Sequence, residues 1–571
     1  MLPIPKSVDQ GEGLSEIQAE PFRQLTPTRA QLSDLPKQVR LSKSKGRLPS
    51  VEGYKLVIGS TRIEVIAERD IGWNYGLQTL RQIAQASEVY LPLITIGDHP
   101  DFHRRGIMLD VSRNKVPKLK TLFYLIDLFA SWKINELQLY IEHSFKFEGH
   151  ETVWKDASPL TREDIHKLDT YCHDRFIELV PNLNCFGHMT KWLVHEPYNP
   201  LAEQPDGGDT DLGYRKEPQG LCPIDPGSIA LAEDIIEQMV SCFRSDQVNV
   251  GCDETIDLGY GRSKRAVEEQ GRGVVYLDYL KKVHAICSRH GKRMQFWADI
   301  LLKYPELMNE TPANGIALNW GYEAIHPFEK ETEILGSSGL AFYVCPGTSS
   351  WNSIGGRTKN MLGNIRKATD TGKQHGALGV MTTDWGDNGH LQPLVSSFPG
   401  FIYGAAKAWN ADGNINLAAA LDAYLFESHG WGKVLLELGS LDEPVDIYIH
   451  NQSALFKILH EDASQVRGIE GLQSDKLKQS LASAQQIAGA LKELTEAHPS
   501  HSILMEECAW VSQMLIHACK RGLSILEDNE GESLSEAAIH LRAQHETLWH
   551  LRNRPGGYLQ TRGFFDRLIE S

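Results

Sequence analysis

The chain has 571 residues and a mass of 64.0 kDa, enough for two to four domains at roughly 100–200 residues each. Hydrophobic residues at 41% and charged residues at 23% exclude overall disorder. A net charge of −16 and a pI near 5.8 argue against wrapping a nucleic-acid backbone, and no apolar run is long enough to predict a membrane span.

The N-terminal MLPIPKSVDQGEGLSEIQAE lacks the basic segment and apolar stretch of a secretory signal. The nine cysteines are odd in number, irregularly spaced and without a CxxC pair. That predicts neither a disulfide framework nor a zinc site, and points to a reducing, cytoplasmic compartment. No metal or cofactor is expected.

Residues 1–100 read as a small α+β unit. Tyr54 to Gly59 and Thr61 to Ala67 read as strands, and Tyr75 to Ile83 has apolar residues at helical spacing. From 101 to 410, eight short apolar runs alternate with amphipathic helical stretches. The runs are 106–112, 136–142, 178–184, 248–254, 293–299, 315–321, 341–347 and 379–387. Eight such units predict a (β/α)8 TIM barrel, of the α/β class, over a doubly wound open sheet. Residues 411–571 read as an all-helical domain, with helices over 474–494, 504–526 and 534–551. This tail offers a surface for packing on the barrel or for homodimerisation. The basic loop Arg552 to Gly557 reads either as a helix stop and turn or as an element reaching a neighbouring subunit's site.

Nearly every barrel run ends in polar or aromatic residues: Asp110 and Arg113, Glu142 and His143, Asn184 and His188, Asp253 and Glu254, Trp297 and Asp299, Asn319 and Trp320, Tyr343, Trp385 and Asp387. Barrel active sites are built at strand C-termini. The adjacent carboxylates of Asp253-Glu254 are the sharpest signal. Side chains alternate across a strand, so this pair is not spaced to flank a glycosidic bond from both sides. At a strand terminus, one carboxyl can protonate a leaving oxygen while the other holds a neighbouring group. The 12 tryptophans hint at sugar stacking, against the ordinary reading of Trp as core.

Several segments together resemble glycoside hydrolase family 20, the β-N-acetylhexosaminidases, over residues 50 to 410. These are Tyr75 to Gln82, Arg105 to Arg113, Gly251-Cys252-Asp253-Glu254 and Phe296-Trp297-Ala298-Asp299. The helical tail resembles a subgroup with an added C-terminal domain. The resemblance implies an oligosaccharide or glycoconjugate substrate with a terminal N-acetylhexosamine, hydrolysed with retention through an oxazoline formed by the substrate's own acetamido group. It implies Glu254 as general acid/base and Asp253 as the carboxylate that orients the acetamido group. Trp297, Trp320 and Trp385 would wall the sugar, and Tyr343 would bond the acetamido carbonyl. Arg105 and Asp387 would hold ring hydroxyls; the family usually has Glu at the latter position. His188 would buttress the acid/base. Glu142 stands where the family usually has Asp, in a supporting role, and a Glu142–His188–Glu254 relay predicts that Glu142→Gln shifts the acid limb of the pH–rate profile. Burial and Asp253 are expected to raise the Glu254 pKa. Two alternatives stay open: a glycosidase for 6-sulfated or unacetylated glucosamine, and a catalytically silent sugar-binding protein.

Overall fold

The computed structural model describes residues 1–570 except 45, 47, 498–501 and 529–533. Its N-terminal unit is a five-stranded sheet of β1 (Ser7–Gln18), β2 (Val39–Lys43), β3 (Tyr54–Ile58), β4 (Ile63–Ala67) and β5 (Tyr90–Asp98), in the order β1-β5-β3-β4-β2. The Asp70–Ala86 helix buries Tyr75, Leu77, Leu80 and Ile83 against it. β1 carries no sequence signal because it is an edge strand, solvent-exposed over its first eight residues and paired only with β5.

Eight parallel strands then close a barrel. They are β6 (Arg104–Asp110), β7 (Glu136–Ile141), β8 (Glu178–Leu183), β9 (Gln247–Asn249), β10 (Arg293–Trp297), β11 (Ile316–Trp320), β12 (Ala341–Cys345) and β13 (Gly379–Asp384). All eight apolar runs became barrel strands in chain order. The outward side chains of these strands pack on the surrounding helices. The inward ones form an aromatic-rich upper layer containing Met108, Tyr140, Trp297, Leu318 and Met381. Beneath it lies a buried amide network, in which Gln138 Oε1 accepts from Asn182 (2.9 Å) and Asn249 (3.0 Å) and Gln138 Nε2 donates to Gln295 (2.7 Å). In that low-dielectric interior these bonds offset most of the cost of burying the amides, with Asn182 Oδ1 left without a protein partner.

The C-terminal domain is helical. Its longest helices are Ser474–Ala497, Ile503–Glu527, Leu534–Arg552 and Tyr558–Glu570. Their apolar faces join the barrel's outer layer in one continuous core, so this domain is packed on the barrel. The Arg552–Gly557 segment is a helix stop and turn, and it docks on its own chain's barrel, where Arg554 N donates to Val116 O at 2.8 Å. Among the described residues, no helix is long and apolar enough to cross a membrane.

Candidate active site

The strand ends bring together Asp110, Glu142, His188, Asp253, Glu254, Trp297, Trp320, Trp385 and Asp387 at one mouth of the barrel. The Asp253-Glu254 pair does not lie in a strand, because β9 stops at Asn249. Residues 251, 252 and 254 have φ of +69°, +67° and +45°, a tight left-handed path that breaks strand alternation and turns both carboxyls toward the mouth. Gly251 is required there, since a Cβ would fall 1.5 Å from Asn184 Oδ1. The turn is pinned by Trp297 N to Gly251 O at 3.0 Å, Tyr276 Oη to Cys252 O at 2.9 Å and Glu254 N to Asp299 Oδ2 at 3.2 Å.

His188 bridges the two carboxylates. Its Nε2 lies 3.2 Å from Glu254 Oε2 and 3.3 Å from Asp253 Oδ2, and its Nδ1 lies 3.8 Å from Glu142 Oε1. Burial disfavours the imidazolium, but the charge and hydrogen bond of Asp253 and the bond to Glu254 outweigh it and hold His188 well above its ordinary value. The same contacts act in reverse on Glu254. Burial would raise its carboxyl, yet the hydrogen bond and charge of His188, with Arg113 and Lys303, hold it below the usual range. The expectation of a raised Glu254 pKa is therefore corrected for the free protein: the effect of burial is outweighed by the hydrogen bond and charge of His188. Asp299 behaves as Glu254 was expected to. Burial and the Asp253 and Glu254 charges push it up to about 7, against the Glu254 N–H bond.

Glu142 accepts from Tyr140 Oη (2.9 Å) and pairs with Arg113 (3.4 Å). Arg113 also pairs with Asp110 at 3.1 Å and lies over the rings of Tyr140 and Trp385. Asp387, partly exposed, sits within the field of Arg113, Asp110, Glu254 and His188; removal from water raises its carboxyl to about 6 against the pull of Arg113. Trp297 and Trp385 are 6.1 Å apart, Tyr140 meets Trp385 edge-on at 4.7 Å, and Trp320 stacks on Tyr322 at 5.2 Å. Trp385 Nε1 donates to Tyr322 Oη at 2.8 Å. Buried Trp297 Nε1, Trp320 Nε1 and Asp253 Oδ1 have no protein hydrogen-bond partner. The arrangement is an aromatic box with unspent donors and acceptors, suited to a small polar, partly apolar ligand such as a sugar ring.

Two expected site residues lie elsewhere. Arg105 is the second residue of β6, at the base of the barrel and 1% exposed. Its guanidinium donates to Glu52 (2.8 Å) and Tyr75 Oη (2.6 Å) of the N-terminal domain and to Phe102 O (2.8 Å). It clamps two domains together and touches no mouth residue. Tyr343 packs inside the barrel with Trp297 and Leu318, and its hydroxyl donates down to Glu136, the first residue of β7, at 3.0 Å. In a parallel barrel only the C-terminal ends of the strands reach the mouth; Arg105 leaves at the start of β6 and Tyr343 from the middle of β12, where it is held by Glu136. Arg113, Tyr140, Tyr322 and Asp299 were not assigned to the substrate. For Arg113 the signal was available, since it follows the end of its strand.

The model of the glycosyl hydrolase family 20 catalytic domain matches residues 102–389, and that of domain 2 of the same family matches residues 4–99. A lacto-N-biosidase from Bifidobacterium bifidum is 27% identical over 260 residues, 43% of this chain and 22% of that protein. A β-hexosaminidase from Porphyromonas gingivalis is 25% identical over 285 residues, 44% of this chain and 36% of that one. The chain thus spans well under two thirds of the length of these curated relatives. In fold, it is similar to the Flavobacterium johnsoniae chitobiase (TM-score 0.61, 16% identity, 96% of this chain and 98% of that one). It is also similar to a β-N-acetylhexosaminidase from Bacteroides fragilis (TM-score 0.58, 18% identity, 75% and 95%). With the catalytic-domain model covering half of the chain and the domain 2 model covering the unit before it, the chain belongs to glycosyl hydrolase family 20.

Proposed function

We propose that the chain is a retaining exo-β-N-acetylhexosaminidase that releases terminal β-linked GlcNAc or GalNAc by substrate-assisted catalysis. The observation that carries this reading is the trio of Asp253, His188 and Glu254, sharing protons at 3.2–3.3 Å on the floor of an aromatic box. Glu254 donates a proton to the glycosidic oxygen as the C1–O bond breaks. The acetamido carbonyl oxygen bonds to C1 and gives an oxazolinium ion, whose N–H is held by Asp253. Water then attacks C1, Glu254 takes the water's proton, and the acetamido group is restored with the β configuration retained. No second carboxylate is needed on the opposite face of the sugar, in keeping with two carboxyls on one turn. Arg113 and Asp387 stand at the side of the mouth suited to ring hydroxyls, and the tryptophans to the acetamido methyl and the sugar face.

The nine cysteines are all free and buried, which supports residence in a reducing, cytoplasmic setting. The decisive experiment is hydrolysis of a chromogenic aryl β-GlcNAc with and without a GlcNAc-thiazoline, an oxazoline mimic. Hydrolysis with tight competitive inhibition is expected. Hydrolysis that the thiazoline leaves untouched removes acetamido participation, and no hydrolysis of GlcNAc or GalNAc glycosides removes the reading altogether.

A further inference from the structure

We infer that Thr561 of the C-terminal helical domain is a positioning residue for the sugar-gripping pair Arg113 and Asp387, an inference that rests on the hexosaminidase reading. Thr561 is 1% exposed on the Tyr558–Glu570 helix, far in sequence from the barrel. Its Oγ1 accepts from Asn114 Nδ2 at 3.3 Å and donates to Gly389 O at 2.7 Å. Asn114 is the residue after Arg113, and Gly389 lies two residues after Asp387. One hydroxyl therefore ties together the two loops that carry Arg113 and Asp387, whose charges act on each other at one side of the mouth.

The tie is part of a built joint. Residues 116–118 pair with 552–554 in strand-like fashion: Arg554 N donates to Val116 O at 2.8 Å, Lys118 N to Arg552 O at 2.9 Å, and Pro117 bridges to Asn553. Gly557, at φ +79°, lies so close to the loop that a Cβ would come 2.0 Å from Asn114 O. Behind it, Lys115 donates to Gln392 O (2.9 Å), and Gln392 Nε2 donates to Trp385 O (2.8 Å). Both loops have left-handed backbone at the tie, with φ of +66° at Asn114, +55° at Asn388 and +98° at Gly389. Such conformations persist only where surrounding contacts over-determine them. On the barrel side, Asp110 accepts from Arg113 N (3.1 Å) and Gly386 N (3.0 Å), and Asn352 accepts from Asn388 (3.1 Å). The C-terminal domain adds the outer contact through Thr561, so both together set the separation of Arg113 and Asp387.

Thr561→Val keeps the side-chain shape and deletes both hydrogen bonds, and Thr561→Ser restores the hydroxyl. Two readouts separate this inference from the reading beneath it. The first, amide hydrogen exchange, needs no activity: Thr561→Val is expected to speed exchange in residues 111–118 and 386–392 together, and Thr561→Ser to reverse it. The second is the steady-state rate on an aryl β-GlcNAc, where Thr561→Val is expected to raise KM on the order of tenfold with a smaller fall in kcat. Unchanged exchange in either loop overturns the tie. Faster exchange with an unchanged KM in an active enzyme overturns its role in sugar binding. A wild-type protein inert on these glycosides overturns the hexosaminidase reading and with it the sugar-binding role, while exchange still decides whether Thr561 joins the loops.

Discussion

His188 Nε2 lies 3.2 Å from Glu254 Oε2, and the two groups displace each other's proton affinity in opposite directions. A state with His188 charged and Glu254 ionised holds the same number of protons as one with His188 neutral and Glu254 protonated. The pH dependence of such a coupled cluster follows its total proton count, not the microscopic location of the proton. In the proposed mechanism the imidazole therefore acts as a reserve that keeps the proton Glu254 would donate in the site to a pH above the ordinary carboxyl range.

That relationship fixes the sign for His188→Gln. With the imidazole gone, the only proton available to the leaving group is the one Glu254 binds alone, and Glu254 is an ordinary carboxyl raised by burial. The basic limb of kcat/KM is expected to move to lower pH. Glu142→Gln, which removes a carboxylate 3.8 Å from His188 Nδ1, should move the same limb in the same direction by less. The geometry thus moves the Glu142 effect from the acid to the alkaline side. A basic limb that stays in place in both variants removes the shared-proton account. The same imidazolium stabilises the fold. Its folded-state pKa lies above the unfolded value, so that contribution is complete below about pH 6.5 and fades as pH climbs through the folded value.

Asp253→Asn tests substrate assistance directly. An amide at this position cannot stabilise the positive charge that develops on the acetamido nitrogen, although it still fills the space. A fall of roughly 10²–10³ in kcat is expected with KM changed little, the size seen when one preorganised electrostatic contact to a transition state is removed. A variant that keeps full kcat on an acetamido substrate excludes the oxazoline route.

Arg105 and Arg113 bracket one strand and should fail in opposite ways. Arg105→Met leaves Glu52, 2% exposed, without its guanidinium. Stranding a buried charge costs about 3–5 kcal/mol, so a large drop in unfolding midpoint is expected, with KM unchanged in the protein that remains folded. Arg113→Met should leave the midpoint less affected and raise KM. Burial alone would raise the Glu52 carboxyl, but Arg105 and His103 hold it at about 2. Its contribution to stability is present above about pH 4.5 and is lost as pH falls from there through 2. Wild-type protein should therefore lose more stability across that window than Arg105→Met, measured by denaturant titration at each pH. A larger KM effect at Arg105 than at Arg113 contradicts the placement of both.

The barrel was legible because its signal is periodic and local: eight apolar runs, each followed by a helix, in an order the chain obeys. Strand-end chemistry was legible for the same reason, so Asp253, Glu254, His188, Trp297, Trp320 and Trp385 could be found by position alone. Arg105 and Arg113 flank one apolar run, and the rule that places barrel sites at strand C-termini already separates them: Arg105 precedes the run and belongs at the base, Arg113 follows it and belongs at the mouth. The family resemblance pointed to Arg105 against that rule. Tyr343 carries no such signal, because it lies in mid-strand and its partner, Glu136, is 207 residues away. Thr561 could not be read at all. Its meaning lies in contacts to Asn114 and Gly389, 447 and 172 residues distant, and a single threonine in an amphipathic helix carries no local mark of either.

Truncation after residue 410 would remove Trp431, Leu435, Leu455, Leu459, Val511 and Leu515, all buried in the core that continues into the barrel's outer layer. The apolar faces they cover would be exposed as a contiguous patch, a surface that promotes aggregation. It would also remove the strand-like pairing of 552–554 with 116–118 and the Thr561 tie, leaving the loops of Arg113 and Asp387 unsupported. A chain of residues 1–410 is therefore expected to elute as aggregate on sizing and to show no cooperative thermal transition. Full-length protein should elute as a discrete species and melt cooperatively. A truncated chain that is monodisperse, melts cooperatively and hydrolyses the aryl glycoside with wild-type KM would show that the barrel is self-sufficient, and would remove any structural role for the helical domain at the mouth.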